Sequence, residues 1–165
     1  MKTRHRAREL VLQALYEMDI RNQLSLDNYD SDYYPCLTEE EVDALEDEVK
    51  IFAAILLKGT LSSLEEVDKY ISDFSYNRPL ERIDIVDRNI LRLSIYSLLQ
   101  NEVHPHVIID EAVKLSQDFS TEVNYKFING ILDTFQKKLN LEEKFNWLQL
   151  KVKIKSMVLE KVVMN

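Results

Sequence analysis

The stretch Asp84-Ile85-Val86-Asp87-Arg88-Asn89-Ile90-Leu91-Arg92-Leu93-Ser94-Ile95-Tyr96-Ser97-Leu98-Leu99 decides the fold. Its apolar residues cover much of the circumference of a 3.6-residue helix, and Asp84 offers a side-chain oxygen to the first free amides. A helix that is apolar on most sides must be surrounded by other elements, so this one is predicted to lie at the centre of the molecule.

On its N-terminal side, Leu10, Ala14, Leu15 and Met18 recur at three- and four-residue intervals and predict a helix over 3–21, with Val11 widening the stripe. Residues 22–37 have no sustained period and read as an acidic loop. A capping box, Thr38-Glu39-Glu40-Glu41, opens a second helix carrying Val42, Leu45, Val49, Phe52 and Leu56, with Gly59 as its terminator. Ser63-Leu64-Glu65-Glu66 opens a third in the same way and it stops before Asn77-Arg78-Pro79. On the C-terminal side Pro105 falls in a connection, and 107–119 and 123–139 read as two more helices. Asn140-Leu141-Glu142-Glu143 resembles another helix start, while the alternating Lys151-Val152-Lys153-Ile154-Lys155 fits either a helix or a strand.

The chain has 165 residues but only two glycines, Gly59 and Gly130, and three prolines. That is too little turn chemistry for a many-stranded sheet, so the predicted class is all-α in one compact domain. The glycine shortage also excludes the glycine-rich loops that cradle nucleotide phosphates, and no cofactor is expected. Cys36 is the single cysteine, which rules out an intrachain disulfide or a thiolate cluster and suits a reducing cytoplasm. His104-Pro105-His106 has no ligand partner at helical spacing, so no metal site is expected. No serine or cysteine has an evident base, and no catalysis is expected. The basic start of the chain runs into Glu9, Glu17 and Asp19, unlike a signal peptide, and no apolar run is long enough to span a membrane; the expected location is the cytoplasm.

The net charge of -8 is unevenly placed: residues 1–21 carry +2, residues 22–136 carry -14 and residues 137–165 carry +4. Lys2, Arg4, Arg6 and Arg8 set four fixed positive charges within seven positions, beside His5, at the start of the first helix. Planar guanidinium forks pair with phosphates and stack on unpaired bases, so the cluster suits an RNA strand; a solvated, fraying basic terminus fits the same residues. The acidic block 27–48 offers the basic ends a target in a second copy, which makes a homodimer without sequence-specific RNA binding the competing expectation.

Residue order adds more than composition. Arg4-His5-Arg6-Ala7-Arg8-Glu9-Leu10-Val11-Leu12-Gln13-Ala14-Leu15-Tyr16 resembles the N-terminal signature of the NusB family of transcription antitermination factors. The central stretch from Ile83 to Tyr96 resembles the family's central helix. Val107-Ile108-Ile109-Asp110-Glu111-Ala112-Val113-Lys114-Leu115 and Lys126-Phe127-Ile128-Asn129-Gly130-Ile131-Leu132-Asp133 resemble its later helices, in the expected order.

The resemblance covers residues 3–139. It implies two packed helical bundles forming one NusB-like domain over 1–139, followed by a basic C-terminal helix or extension over 140–165. It also implies recognition of boxA-type RNA in nascent ribosomal RNA jointly with NusE, a small ribosomal subunit protein, within an elongation complex containing other Nus factors. Residue by residue, it implies RNA contacts by Arg4, His5, Arg6, Arg8, Tyr16 and Lys126, and partner contacts by Asp87 and Phe127. From the residues alone, Tyr16 and Phe127 also fit a plain core and Asp87 a helix cap. His5 fills a lysine-or-arginine slot of the family, and Val123 replaces an aspartate associated with the RNA-binding edge. NusB-like domains fused to ribosomal RNA methyltransferases are a further precedent, but this chain has no room for the catalytic domain.

Overall fold

The computed structural model describes residues 2–164, and among them every regular element is helical. In chain order these are α1 (Lys2–Ile20), α2 (Glu39–Asp43), α3 (Asp47–Ser62), α4 (Leu64–Phe74), α5 (Ile85–Gln100), α6 (Pro105–Phe119) and α7 (Asn124–Met164), with short 3-10 turns at Leu26–Asn28 and Leu80–Arg82. Helix α5 is the hub: it packs against α1, α3, α4, α6 and α7. Asp84 caps it by accepting from the Val86 amide at 3.0 Å, and Asn101 ends it in the left-handed conformation. Helices α1 and α3 pack together on one side of α5, and α6 and α7 pack together on another. Phe135 of α7 meets Tyr70 and Phe74 of α4 edge-on, with ring centroids 4.9 and 5.7 Å apart.

Buried charge ties α1 to this hub. The Asp19 carboxylate accepts two hydrogen bonds from Arg88 at 2.7 Å, one from Arg92 at 2.8 Å and one from Asn89 at 2.9 Å. Arg92 in turn donates to Asp68 of α4 at 2.8 and 3.2 Å. Burial works to raise the Asp19 pKa, but these donors outweigh it and hold the carboxyl below its ordinary value.

The structure departs from the sequence expectations at five places. The second predicted helix is two, α2 and α3, separated at Ala44–Glu46 in sequence. A single helix would stack Glu39, Glu40, Asp43, Glu46 and Asp47 at repulsive three- and four-residue spacings, whereas a fresh start places Asp47 and Glu48 at a favourable N-terminus. Gly59 does not terminate α3 but lies inside it, where a Cβ would come within 2.0 Å of the Tyr96 ring; its role is to let α5 approach. Ser63 makes no side-chain cap, because α4 follows α3 with that one residue between them. Pro105 is the first residue of α6, capped by His104, whose Nδ1 accepts from the His106 amide at 3.1 Å.

Finally, α7 does not stop near residue 139. It runs unbroken for 41 residues, so 151–155 is helical and the strand alternative is excluded. No glycine or proline follows Gly130, and among the described residues no sheet exists to receive a strand. Its buried residues, Ile128, Ile131, Leu132 and Phe135, all lie in the first third, and every residue from Asn140 to Met164 is exposed. No described helix is long and apolar enough to cross a membrane.

Candidate nucleic-acid interface

Helix α1 begins at Lys2, so the basic cluster is helical from its start and not a loose tail. Its first turn contains no acidic residue. Backbone amides give a helix N-terminus a partial positive charge, and Lys2, Arg4, His5, Arg6 and Arg8 add side-chain donors at the same end. The cluster is held by an aromatic ring and two carboxylates. The guanidinium carbons of Arg4 and Arg8 lie 5.2 and 5.3 Å from the centroid of Phe52 in α3. Arg6 donates to Glu9 at 3.2 Å, and Glu9 also lies 2.9 Å from His5 Nε2.

Glu111 of α6 is the second carboxylate. It is buried, pairs with the Nδ1 side of His5, and lies 3.7 Å from Arg8 and 3.6 Å from Lys114. Burial would raise its pKa, yet the His5 hydrogen bond and the Arg8 charge prevail and keep it below the ordinary carboxylate range. The four arginine-cluster residues therefore divide by position. Arg4 is exposed and Arg6 partly so, whereas the Arg8 side chain is only 7% exposed and His5 is engaged on both ring nitrogens.

A second surface lies farther along α1. Tyr16 is 40% exposed, which excludes the core reading, and it lines an open groove of about 580 Å³ with Leu12, Pro35, Cys36, Val86 and Phe119. Eight residues of helix separate Arg8 from Tyr16, roughly 12 Å along the axis. The residues next to Val86 and Phe119 in sequence, Asp87 and Ser120, belong to a part-buried hydrogen-bond cluster. Asp87 accepts from the Ser120 hydroxyl and from the Asn124 side-chain amide, each at 2.7 Å. Asp84, not Asp87, caps α5, so the cap reading of Asp87 is excluded. Burial pushes the Asp87 carboxyl above its usual range, and the bonds from Ser120 and Asn124 offset this only in part.

Phe127 is half-buried beneath Arg78, whose guanidinium carbon is 4.6 Å from the ring centroid, and Lys126 and Val123 are exposed beside it. The chain thus has a cationic end and an apolar groove on α1, with the Asp87–Ser120–Asn124 hydrogen-bond cluster next in sequence to two groove residues. Sequence reasoning did not assign Phe52, Glu111, Ser120, Asn124 or Arg78 to either surface. The one mark Glu111 carries in the sequence is its place among Ile108, Ala112 and Leu115, an acidic residue at helical spacing from apolar ones.

The NusB family model matches residues 5–137. The transcription antitermination protein NusB of Leptospira biflexa is 39% identical over 144 residues, covering 84% of this chain and 94% of its own length. That of Borreliella burgdorferi is 39% identical over 137 residues, covering 82% and 94%. Among solved structures, T. maritima NusB superposes with a TM-score of 0.70 at 32% identity, covering 87% of this chain and 96% of its own. The NusB chain in a crystal structure of antitermination factors NusB and NusE in complex with dsRNA shares the fold, with a TM-score of 0.66 at 22% identity and coverage of 84% and 98%.

Proposed function

The chain belongs to the NusB family, and on that premise we propose that it is a non-catalytic RNA-binding antitermination factor that recognises boxA-type RNA in nascent ribosomal RNA together with NusE. Residues 1–139 carry this function, and 140–165 are a basic extension, of which 140–164 continue α7. The observation that carries the reading is the cationic start of α1, where Arg4 is exposed over the Phe52 ring and Arg6, bonded to Glu9, is partly exposed beside it.

Arg4 and Arg6 hold phosphates, and Arg8 and His5, anchored on Glu111, fix the end of α1 against α6 so that those charges are presented in one orientation. Tyr16 and Lys126 extend the RNA path. Tyr16 offers an exposed ring on which a base can stack, and Lys126 an exposed cation. Asp87 and Phe127 serve the NusE face, Asp87 by holding Ser120 and Asn124 next to the groove residues Val86 and Phe119. Two modest surfaces that share one helix suit joint recognition, because each partner raises the local concentration of the other. This role places the protein in the cytoplasm, with other Nus factors on the elongation complex, and requires neither cofactor nor metal.

The test is a mobility-shift titration of a boxA-type RNA against a scrambled strand, with and without NusE. The reading expects a preference for the boxA strand that tightens with NusE; equal binding of both strands under both conditions would overturn it.

A further inference from the structure

Beyond residue 139, α7 buries no side chain against the described residues of its own chain. The 25 residues of 140–164 extend the α7 axis by roughly 37 Å at 1.5 Å per residue. Leu141, Phe145, Leu148 and Val152 recur at three- and four-residue steps along one side, and Leu159 and Val162 resume the stripe after a seven-residue step that holds Lys155, each of the six more than half exposed. A helix of this length without packing is marginal in water, and an apolar stripe of this extent needs a cover. The protein's own body is out of reach, since no glycine or proline after Gly130 allows the helix to fold back.

The stripe's charges say what fits it. Lys144, Lys151 and Lys155 border or interrupt it, with Lys153 and Lys161 nearby. Two such helices laid together would bring Lys151, Lys153 and Lys155 against their own copies, which disfavours pairing of extension with extension. The opposite pattern exists on the body. Glu39, Glu40, Glu41, Asp43, Glu46, Asp47 and Glu48 are exposed on α2 and the start of α3, and none has an ion-pair partner among the described residues. One turn farther along α3, Ile51 and Ile55 are 60% and 58% exposed. An acidic face ending in two bare isoleucines complements a basic helix with an apolar stripe.

We propose that the extension of one copy docks on the α2–α3 face of a second copy, and that the exchange is reciprocal. Each chain then supplies one donor helix and one acceptor face, which closes a two-fold dimer. Five or six stripe residues at about 100 Å² apiece bury roughly 500–600 Å² on the helix side of each contact. With two contacts and their facing surfaces, the total passes the ~1,200 Å² at which stable interfaces begin.

The experiment is sedimentation velocity on the full chain at low and high salt, with two charge-reversed variants. One carries Lys151→Glu, Lys153→Glu and Lys155→Glu, the other Glu40→Lys, Asp43→Lys and Glu48→Lys. The proposal expects a dimer at low salt that dissociates as salt rises, each variant alone monomeric, and a dimer restored when the two variants are mixed. Restoration cannot come from misfolded chains, so it separates lost docking from lost folding. A monomer under all conditions, a dimer strengthened by salt, or a dimer that survives reversal of the acidic face would each overturn the proposal.

Discussion

Replacing the three arginines of α1 one at a time should separate presentation of charge from its support. Arg8 and Glu111 are both nearly buried, with side chains 7% and 6% exposed and 3.7 Å between them. Breaking a buried pair by deleting one partner costs about 3–5 kcal/mol. His5 and Lys114 remain on Glu111, so the lower end, about 3 kcal/mol, applies to Arg8→Ala. For a chain of this size that is a fall in Tm of roughly 6–12 °C. Arg4 is exposed and contributes only its stacking on Phe52, worth about 0.5–1 kcal/mol.

The order reverses in RNA binding. Each phosphate contact on a single strand contributes about 0.7 to the slope of log affinity against log salt, so Arg4→Ala and Arg6→Ala should each flatten that slope by about 0.7. Arg8→Ala should change it far less once the protein is held below its lowered melting temperature. Fluorescence anisotropy of a labelled boxA-type RNA over a salt series, paired with thermal melts by circular dichroism, reads both quantities. An Arg8→Ala variant of unchanged stability with a fully flattened slope would show that Arg8 reaches the RNA, and would refute the division of roles.

Other parts of the fold make equally definite predictions. Asp19→Ala leaves Arg88 without a carboxylate and Arg92 with Asp68 alone, and should cost about 3 kcal/mol in urea denaturation; a loss under about 1 kcal/mol would mean the network does not lock α1 to α5. Gly59→Ala forces a methyl into the Tyr96 ring and should destabilise by about 1–3 kcal/mol despite alanine's better helix propensity, and adding Tyr96→Ala should relieve the clash. Glu111 has its pKa lowered in the fold, so the stability it contributes is present above its ordinary value of 4.5 and is lost as pH falls through the folded value. The stability gap between wild type and Glu111→Gln should therefore narrow as pH drops below 4.5, and a gap independent of pH would contradict the assignment.

Much of this architecture is legible in the chain because helical periodicity is a local property. The circumference of 84–99 marks the hub, the start of α1 marks the cationic end, and scarce glycine leaves no room for a sheet. What sequence reading misplaces are outcomes of packing. Gly59 looks like a helix stop because glycine is a common C-terminal residue, and only the approach of Tyr96 from another helix reveals its use. The break between α2 and α3 depends on charge repulsion spread over several positions, which apolar periodicity does not register. Glu111 and Phe52 sit 59 residues apart in the chain and meet α1 from two different helices. Neither position carries a local mark of that meeting. The continuity of α7 past residue 139 turns on the absence of a breaker, a weaker signal than the apparent start at Asn140-Leu141-Glu142-Glu143.

Joint recognition is the central claim, and its most direct measurement is the affinity of a labelled boxA-type RNA with and without saturating NusE, at two salt concentrations, for the wild type and for an Arg4→Ala/Arg6→Ala variant. The account predicts tighter, salt-sensitive binding in the presence of NusE that collapses in the variant while NusE still binds it. Affinity that is indifferent to NusE, or a variant that binds the RNA as the wild type does, would contradict it.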